Sequence, residues 1–179
     1  ADPNIRITKG SRQQRDSMWF TFSGALGGAT PFLLAAKYAE IEIMRFLVAN
    51  GADPRLSAED GTTPLMAIAG AGWAAGGSGG NRRGQTFGAD AAQFFVAAGE
   101  PPTREGTKLA LEVGSDVNAT DRNGNTALHA AVTLAYSTVV QLLVEHGGKL
   151  DIKNKAGKTA QDLMCHDPAG KLVRPVGAG

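Results

Sequence analysis

A threonine that follows a glycine by two residues recurs at a fixed interval along the chain, and this repeat constrains the fold more than any other feature. The first and last intervals between these threonines are 33 residues, while the middle interval is 63, which is one period with 30 additional residues. A period of this size is typical of arrays in which each copy of one supersecondary unit packs only on its neighbours. The four pairs are Gly28 and Thr30, Gly61 and Thr63, Gly124 and Thr126, and Gly157 and Thr159.

The most regular copy, Asp121 to Asn154, predicts two short helices joined by a tight loop. Gly124 sets a turn, and Thr126 follows at the N-cap position, where a side-chain oxygen accepts from free backbone N–H groups. Gly147 ends the unit, as glycine commonly does after a helix. Apolar residues between these points show helical spacing: Leu128, Ala131, Val132 and Ala135 before a break at Tyr136 and Ser137, then Val139, Val140, Leu142 and Leu143.

Residues 30–51 form a second clear copy of the unit. Pro31 stands at the first helical position, where its missing N–H has no cost. The small side chains of Ala35 and Ala36 predict that stacked helices approach closely there. The expected apolar faces are Phe32, Leu33, Ala35 and Ala36 on the first helix, and Ile43, Met44, Phe46 and Leu47 on the second.

The unit resembles an ankyrin repeat. The resemblance is carried by residues 124–129 (GNTALH), by Val139 to Val144 and by the exit at Gly147, and it covers roughly Asp2 to Asp167 apart from two inserts. It implies an all-α solenoid of stacked helix–turn–helix units with β-turn or hairpin loops and two long inserts, closest to irregular bacterial arrays. It also implies that His129 bonds the neighbouring turns; the corresponding positions hold Leu33, Met66 and Asp162.

The period predicts one domain over residues 1–166, followed by a tail at 167–179. The opening residues Ala1 to Asn4 match the end of a repeat turn, so the chain is expected to be a fragment of a longer protein, with any targeting segment upstream. The glycine-rich start of the second insert predicts a flexible loop. The expected parts are 1–29 (a partial unit with an enlarged loop), 30–51, 52–114 with insert 72–101, 115–147, and a half unit at 148–166.

Composition and charge exclude several function classes. A net charge of +1 argues against a non-specific grip on nucleic acid, which needs a basic surplus. Cys165 is the single cysteine, so no internal disulfide framework is expected. No apolar run approaches the length of a membrane span. The chain is therefore expected to be soluble, and its compartment stays open between the bacterial cytoplasm and periplasm.

The candidate catalytic and cofactor motifs are incomplete. Residues 157–159 (GKT) resemble the end of a phosphate loop, but Ile152 stands where that loop requires glycine. Cys165 and His166 resemble part of a haem-attachment motif, but Asp162 stands where a further cysteine is needed. The histidines lack metal-ligand spacing to a second histidine or cysteine. We therefore expect no enzyme, no cofactor and no metal site.

The family resemblance implies a protein-binding scaffold that uses turn tips and inner helices as one concave surface. The partner is a protein of unknown identity. Each candidate residue, taken alone, is better explained as a solvated turn residue than as a binding residue. Tyr38 and Arg122 are the preferred anchors because Tyr and Arg are favoured at hot spots. The positions are Lys37, Tyr38, Glu59, Asp60, Thr62, Arg122, Asn123, Asn125, Thr133, Lys155 and Lys158.

The two inserts, 5–29 and 72–101, leave further alternatives open. Trp19 and Phe22 in the first insert either cover the exposed N-terminal helices or form part of a partner site. Trp73 in the second insert is a further candidate contact. The alternative function is a docking or accessory module of a larger bacterial enzyme or redox protein, with other domains of the same chain as partners. A small-molecule pocket under the inserts is a third hypothesis, although no convergent set of polar residues supports it.

Overall fold

A computed structural model describes residues 2–8, 12–15, 18–21, 27–70, 100–166 and 172–173. Within these ranges, helices follow one another in pairs, and a short 3-10 helix, Gln161–Leu163, occupies the last half unit. The flexible loop predicted at the glycine-rich start of the second insert lies outside the described residues. The helices are α1 (Pro31–Lys37), α2 (Ile41–Ala49), α3 (Pro64–Ile68), α4 (Glu100–Glu112), α5 (Ala127–Thr133) and α6 (Ser137–Glu145).

The threonines of the repeat begin the first helix of each unit, as predicted. The side-chain oxygen of Thr30 accepts a hydrogen bond from the backbone N–H of Leu33 at 3.2 Å. Thr63 accepts in the same way from Met66 at 3.2 Å. Each cap satisfies an N–H that has no partner inside the helix, and the proline that follows has no N–H to satisfy.

The helix pairs stack into two rows, which confirms the predicted all-α solenoid. The inner row consists of α1, α3, α5 and the 3-10 helix, each packed on the next. The outer row consists of α2, α4 and α6, and each outer helix also packs on an inner one. Alanines fill the closest approaches, and Ala36, Ala110 and Ala131 are completely buried. The core therefore runs continuously between the two rows.

Helix α4 shows why a glycine stands inside a helix. A Cβ at Gly106 would overlap the Ile68 side chain of α3 and lie 2.7 Å from Cδ1 of Ile41 on α2. Glycine thus allows three helices to meet, at a cost in helix propensity of about 1 kcal/mol against alanine. The helix begins at Glu100, so it includes the last two residues of the insert predicted at 72–101.

The prediction for the apolar face of α2 was wrong at two positions. Met44 is fully buried and Leu47 partly buried, but the side chains of Ile43 and Phe46 are 50% and 66% exposed. The same face of α6 is buried because α4 packs on it. Among the described residues, no helix packs on α2 in the corresponding place.

Ala135 does not belong to the apolar stripe of α5, contrary to the prediction. The helix ends at Thr133, and Ala135 lies in the loop with a φ of +58°. Ala39 lies at the same place in the first unit with a φ of +54°. The loop between the helices of a pair therefore needs one left-handed residue, which periodicity alone does not reveal.

Two short antiparallel strand pairs were not predicted. Strand β1 (Arg12–Arg15) pairs with β2 (Met18–Thr21) inside the insert at 5–29, and Trp19 lies on β2 opposite Gln14. Strand β3 (Cys165–His166) pairs with β4 (Leu172–Val173), so two residues of the predicted tail are extended. The remaining domain boundaries stay predictions.

Candidate functional site

The tips of successive turns form one continuous row. A backbone N–H of each tip donates to a carbonyl of the preceding tip, in the manner of neighbouring strands. Such bonds fix the spacing and orientation of the side chains that the tips carry. The three bonds run from Glu59 to Gly27 at 2.9 Å, from Arg122 to Asp60 at 2.8 Å, and from Lys155 to Asn123 at 2.8 Å.

Short polar side chains hold the shape of each tip. An oxygen of Asp121 accepts from the backbone N–H groups of Asn123 and Asn125, both at 2.8 Å. Asp60 accepts from the N–H of Thr62 at 2.9 Å. These are Asx-type turns, in which the side chain replaces a backbone acceptor. The conformation of the tips is therefore held by hydrogen bonds within the chain.

Gly124 is required by both conformation and close approach. Its φ is +76°, in the left-handed region that favours glycine. A Cβ at this position would lie 3.0 Å from the Cα of Asn154 in the next turn. A side chain there would push successive tips apart and disturb the row.

The predicted site residues fall into two groups along this row. Residues in the first group are exposed to solvent. Those in the second group are partly buried. The exposed residues are Tyr38, Glu59, Arg122, Asn123, Lys155 and Lys158, and the partly buried ones are Lys37, Asp60, Thr62, Asn125 and Thr133.

Two of the partly buried residues bond within the molecule. The Asn125 side chain donates to Asp121 at 3.3 Å and accepts from the Asn154 side chain at 2.9 Å, so it ties two turns together. The hydroxyl of Thr133 donates to the carbonyl of His129 at 2.8 Å. Both side chains stabilise the surface rather than extend from it.

His129 joins the unit at 115–147 to the half unit at 148–166. Its Nδ1 accepts from the backbone N–H of Thr126 at 3.1 Å, so a neutral ring carries its proton on Nε2. That nitrogen lies 3.2 Å from the carbonyl oxygen of Lys158 and donates to it. The resemblance implied this bridge between turns. Leu33 and Met66 at the equivalent positions are buried in the core instead.

Asp162, at the fourth equivalent position, caps the last half unit. Its carboxylate accepts from the N–H of Thr159 at 2.9 Å, and its own N–H donates to the Thr159 hydroxyl at 3.0 Å. The hydrogen bonds from Thr159 hold the pKa of Asp162 below the ordinary value of 3.8. The charged carboxylate is therefore the form that stabilises this cap.

Charge is distributed unevenly along the row. The tip with Glu59 and Asp60 is acidic, whereas the following tips carry Arg122, Lys155 and Lys158. Lys37 lies close enough to Asp60 for the carboxylate to favour its charged form, although burial, the larger effect, lowers the pKa of Lys37. Among the exposed tip residues, the charge thus changes from negative at Glu59 to positive at Arg122, Lys155 and Lys158, while Lys37 lies near the acidic tip and the partly buried Asp121 lies beside Arg122.

The outer row carries a charged groove rather than a ligand pocket. It has a volume of about 540 Å³ and runs between α2, α4 and α6. Arg45 and Glu105 pair across it at 3.7 Å, and Lys108 pairs with Glu112 at 3.8 Å. Opposite charges spread along an open groove do not converge on one ligand group. The hypothesis of a small-molecule pocket gains no support here.

The two candidate tryptophans lie in the inserts. Trp73 lies outside the described residues, and Trp19 is placed only by its backbone on β2. In the parts of the chain that the structure describes, no three histidine, cysteine or acidic residues gather as metal ligands would. No described helix is long and apolar enough to cross a membrane.

Comparison with known proteins identifies the repeat. A family model of ankyrin repeats (three copies) matches residues 80–165, and an ankyrin repeat model matches residues 27–56. Protein fem-1 homolog CG6966 of Drosophila melanogaster is 43% identical over 70 residues, which are 38% of this chain and 10% of that protein. Palmitoyltransferase ZDHHC17 of Rattus norvegicus is 45% identical over 58 residues, 32% of this chain and 9% of that protein.

A shorter relative matches in the same way. Ankyrin repeat-containing protein P1E11.10 of Schizosaccharomyces pombe is 43% identical over 49 residues, 27% of this chain and 24% of that protein. The chain thus spans about a tenth of the first relatives and a quarter of this one. These relatives are eukaryotic, so the bacterial type stays an expectation. The capped helix pairs, the row of turn tips and both family models agree, and the chain belongs to the ankyrin repeat family.

Proposed function

We propose that this chain is a non-catalytic scaffold that binds a protein partner through its turn tips and the concave face of its inner helices. Ankyrin arrays are generally protein–protein interaction modules and generally not catalytic. The observation that carries the proposal is the row of tips joined by backbone hydrogen bonds of 2.8 to 2.9 Å. A surface fixed in advance loses little conformational entropy when a partner binds.

The charges of the row indicate how a partner lies on it. A partner that fits is basic where it meets Glu59 and acidic where it meets Arg122 and Lys155. Complementary charges accelerate association and fix the orientation of a complex more than they raise affinity. We therefore expect the association rate to fall with added salt while the dissociation rate changes less.

Two side chains are the proposed anchors. Tyr38 is exposed at the end of α1, on the inner row, and Arg122 is exposed at the tip of its turn. Tyrosine and arginine are enriched among residues that dominate binding energy. Their positions on both the helix face and the tips would let one partner engage the two parts of the surface.

The test uses the whole chain as bait for a partner from the source organism, followed by affinity measurements on the captured protein. The double variant Tyr38→Ala, Arg122→Ala is expected to weaken binding at least about tenfold, because truncation of a hot-spot residue costs about 2 kcal/mol or more. Matched substitutions on the outer row, Arg104→Ala and Glu145→Ala, are expected to bind normally. Equal affinity of both double variants would contradict the assignment of the surface.

The second candidate function is a docking module within a larger enzyme or redox protein. One relative is named a palmitoyltransferase, and the chain matches only 9% of it, so an array of this kind occurs within a larger protein named as an enzyme. Other domains of the same full-length chain would then be the partners. The full open reading frame decides whether such a domain exists, and its binding to this chain in trans tests the contact.

A further inference from the structure

Helices α2 and α6 hold the same place in their units but differ in exposure. Counted from the N-cap threonines Thr30 and Thr126, Ile43 corresponds to Val139 and Phe46 to Leu142. Val139 is 0% exposed and Leu142 is 7% exposed. Of the equivalent residues on α2, Ile43 is half exposed to solvent and Phe46 is more than half exposed. The difference lies in what covers the two helices, since all four residues are large and apolar.

Helix α6 is covered by another helix of the chain. Helix α4, the second helix of the preceding described unit, packs on α6, and it also packs on the opposite side of α2. That opposite side includes Val48, which is partly buried, while its equivalent Val144 on α6 is exposed. Ile43 and Phe46 therefore lie on the side of α2 where a preceding unit would pack.

Residues 2–5 provide a second, independent observation, because they repeat the turn that follows α4. In both turns an aspartate accepts from the backbone of an asparagine two residues later, and that asparagine bridges two backbone groups in the turn that ends the following helix pair. The backbone N–H of Asn4 donates to the Asp2 carboxylate at 2.9 Å, and that of Asn118 donates to Asp116 at 2.9 Å. The side-chain amide of Asn4 donates to the Gly51 carbonyl at 3.1 Å, and that of Asn118 donates to the Gly147 carbonyl at 3.0 Å. The side-chain oxygen of each asparagine accepts a backbone N–H, from Asp53 at 2.7 Å for Asn4 and from Lys149 at 2.8 Å for Asn118.

We propose that Ile43 and Phe46 form a docking face for the second helix of one further ankyrin-type helix pair, placed on α2 as α4 is placed on α6. The proposal extends an interface that already exists within the molecule. The Asp2–Asn4 turn fixes where that helix would end, just as the Asp116–Asn118 turn follows α4. The occupant is thus an amphipathic helix whose apolar side meets two large side chains.

The chain itself supplies the probe for this face. Residues 49–54 read ANGADP and the chain opens with ADP, so a copy of residues 30–51 placed directly before Ala1 recreates a natural junction. In this extended chain we expect amide hydrogen exchange in the resident α2 to slow by about tenfold or more. We also expect the thermal midpoint to rise by at least about 4 °C.

Paired variants distinguish docking from general stabilisation. Ile43→Gln with Phe46→Gln in the resident α2 is expected to abolish both effects, while Glu42→Gln with Arg45→Gln on the same helix keeps them. Absence of slowed exchange in the extended chain, or its persistence in the Ile43, Phe46 variant, would overturn the proposal. Sedimentation of the unextended chain tests a second copy as the occupant. If the chain forms a dimer and Phe46→Gln dissociates that dimer, the proposal is also overturned.

Discussion

The Thr107 hydroxyl on α4 is fully buried, and it has no hydrogen-bond partner among the residues that the structure describes. A buried hydroxyl without a partner loses its bond to water and gains nothing in return. We predict that Thr107→Val, which keeps the shape of the side chain, raises the free energy of unfolding by up to about 1 kcal/mol. Urea denaturation measures the change.

Thr30 provides the matched control for this prediction, since it is equally buried but caps α1. Thr30→Val removes that cap and should lower the free energy of unfolding by about 1 kcal/mol. Opposite signs for the two variants are the expected outcome. A loss of stability in Thr107→Val as large as that in Thr30→Val would show that the Thr107 hydroxyl is bonded in solution.

Lys37 gives a prediction about pH. Burial lowers its pKa below the ordinary 10.5, and the Asp60 carboxylate partly opposes this by favouring the charged form. Asp60→Asn should therefore lower the pKa of Lys37 further, which an NMR titration of the lysine side chain measures. An unchanged or higher pKa would mean that the two groups do not interact.

The sign of the stability change follows from proton binding. Between the lowered folded pKa of Lys37 and 10.5, the unfolded chain binds more protons than the folded one. This group then makes the free energy of unfolding rise with pH across that interval. Asp60→Asn is expected to widen the interval towards lower pH.

At the scale of elements, the meeting point of α2, α3 and α4 depends on Gly106. Gly106→Ala should gain about 1 kcal/mol of helix propensity. The new methyl group meets Cδ1 of Ile68, and overpacking of this kind costs about 1–3 kcal/mol. We predict a net loss in the free energy of unfolding.

A double-mutant cycle tests the cause of that loss. Ile68→Val removes Cδ1, so Gly106→Ala should cost less stability in that background than in the natural chain; the contact with Cδ1 of Ile41 is common to both. The same alanine substitution combined with Ile43→Val, at an exposed side chain of α2, should remain destabilising. Additive effects of Gly106→Ala and Ile68→Val would exclude the proposed contact.

The period predicts the elements of the inner row well because their caps and their apolar residues are local features. Thr30, Thr63 and Thr126 each begin a helix, as expected. The exposure of Ile43 and Phe46 was missed, because a helix at the end of the described array has the same sequence pattern as one inside it. The β1–β2 hairpin was missed because RQQR and MWFT alternate only weakly.

The proposed binding surface is less accessible to sequence reasoning than the helices. Position in the repeat places Asn125 and Arg122 on the same tip, but only the structure separates a residue bonded to Asp121 and Asn154 from one that is exposed. Local patterns cannot show which polar groups meet across two turns. The charge difference between successive tips can, in contrast, be read from the sequence once the period is known.

For the whole molecule, stability should vary along the array. Units of a solenoid contact only their neighbours, so local opening reflects the interfaces of each unit. Helix α2 has one buried side chain, Met44, and its other side is open among the described residues, whereas α6 has four buried side chains. The described helices therefore differ in how much apolar contact opening would break.

We predict that the amides of α2 exchange with solvent faster than those of α6 under native conditions, by about tenfold or more if one further apolar side chain is protected in α6. Hydrogen exchange followed by mass spectrometry or NMR measures both helices in one sample. Val139→Ala should speed exchange in α6, because it removes fully buried apolar surface, whereas Ile43→Ala at the exposed equivalent should leave α2 nearly unchanged. If α2 and α6 instead exchange at one common rate that follows global unfolding, the array opens as a single cooperative unit. The exposure of Ile43 and Phe46 would then have no consequence for the local stability of α2.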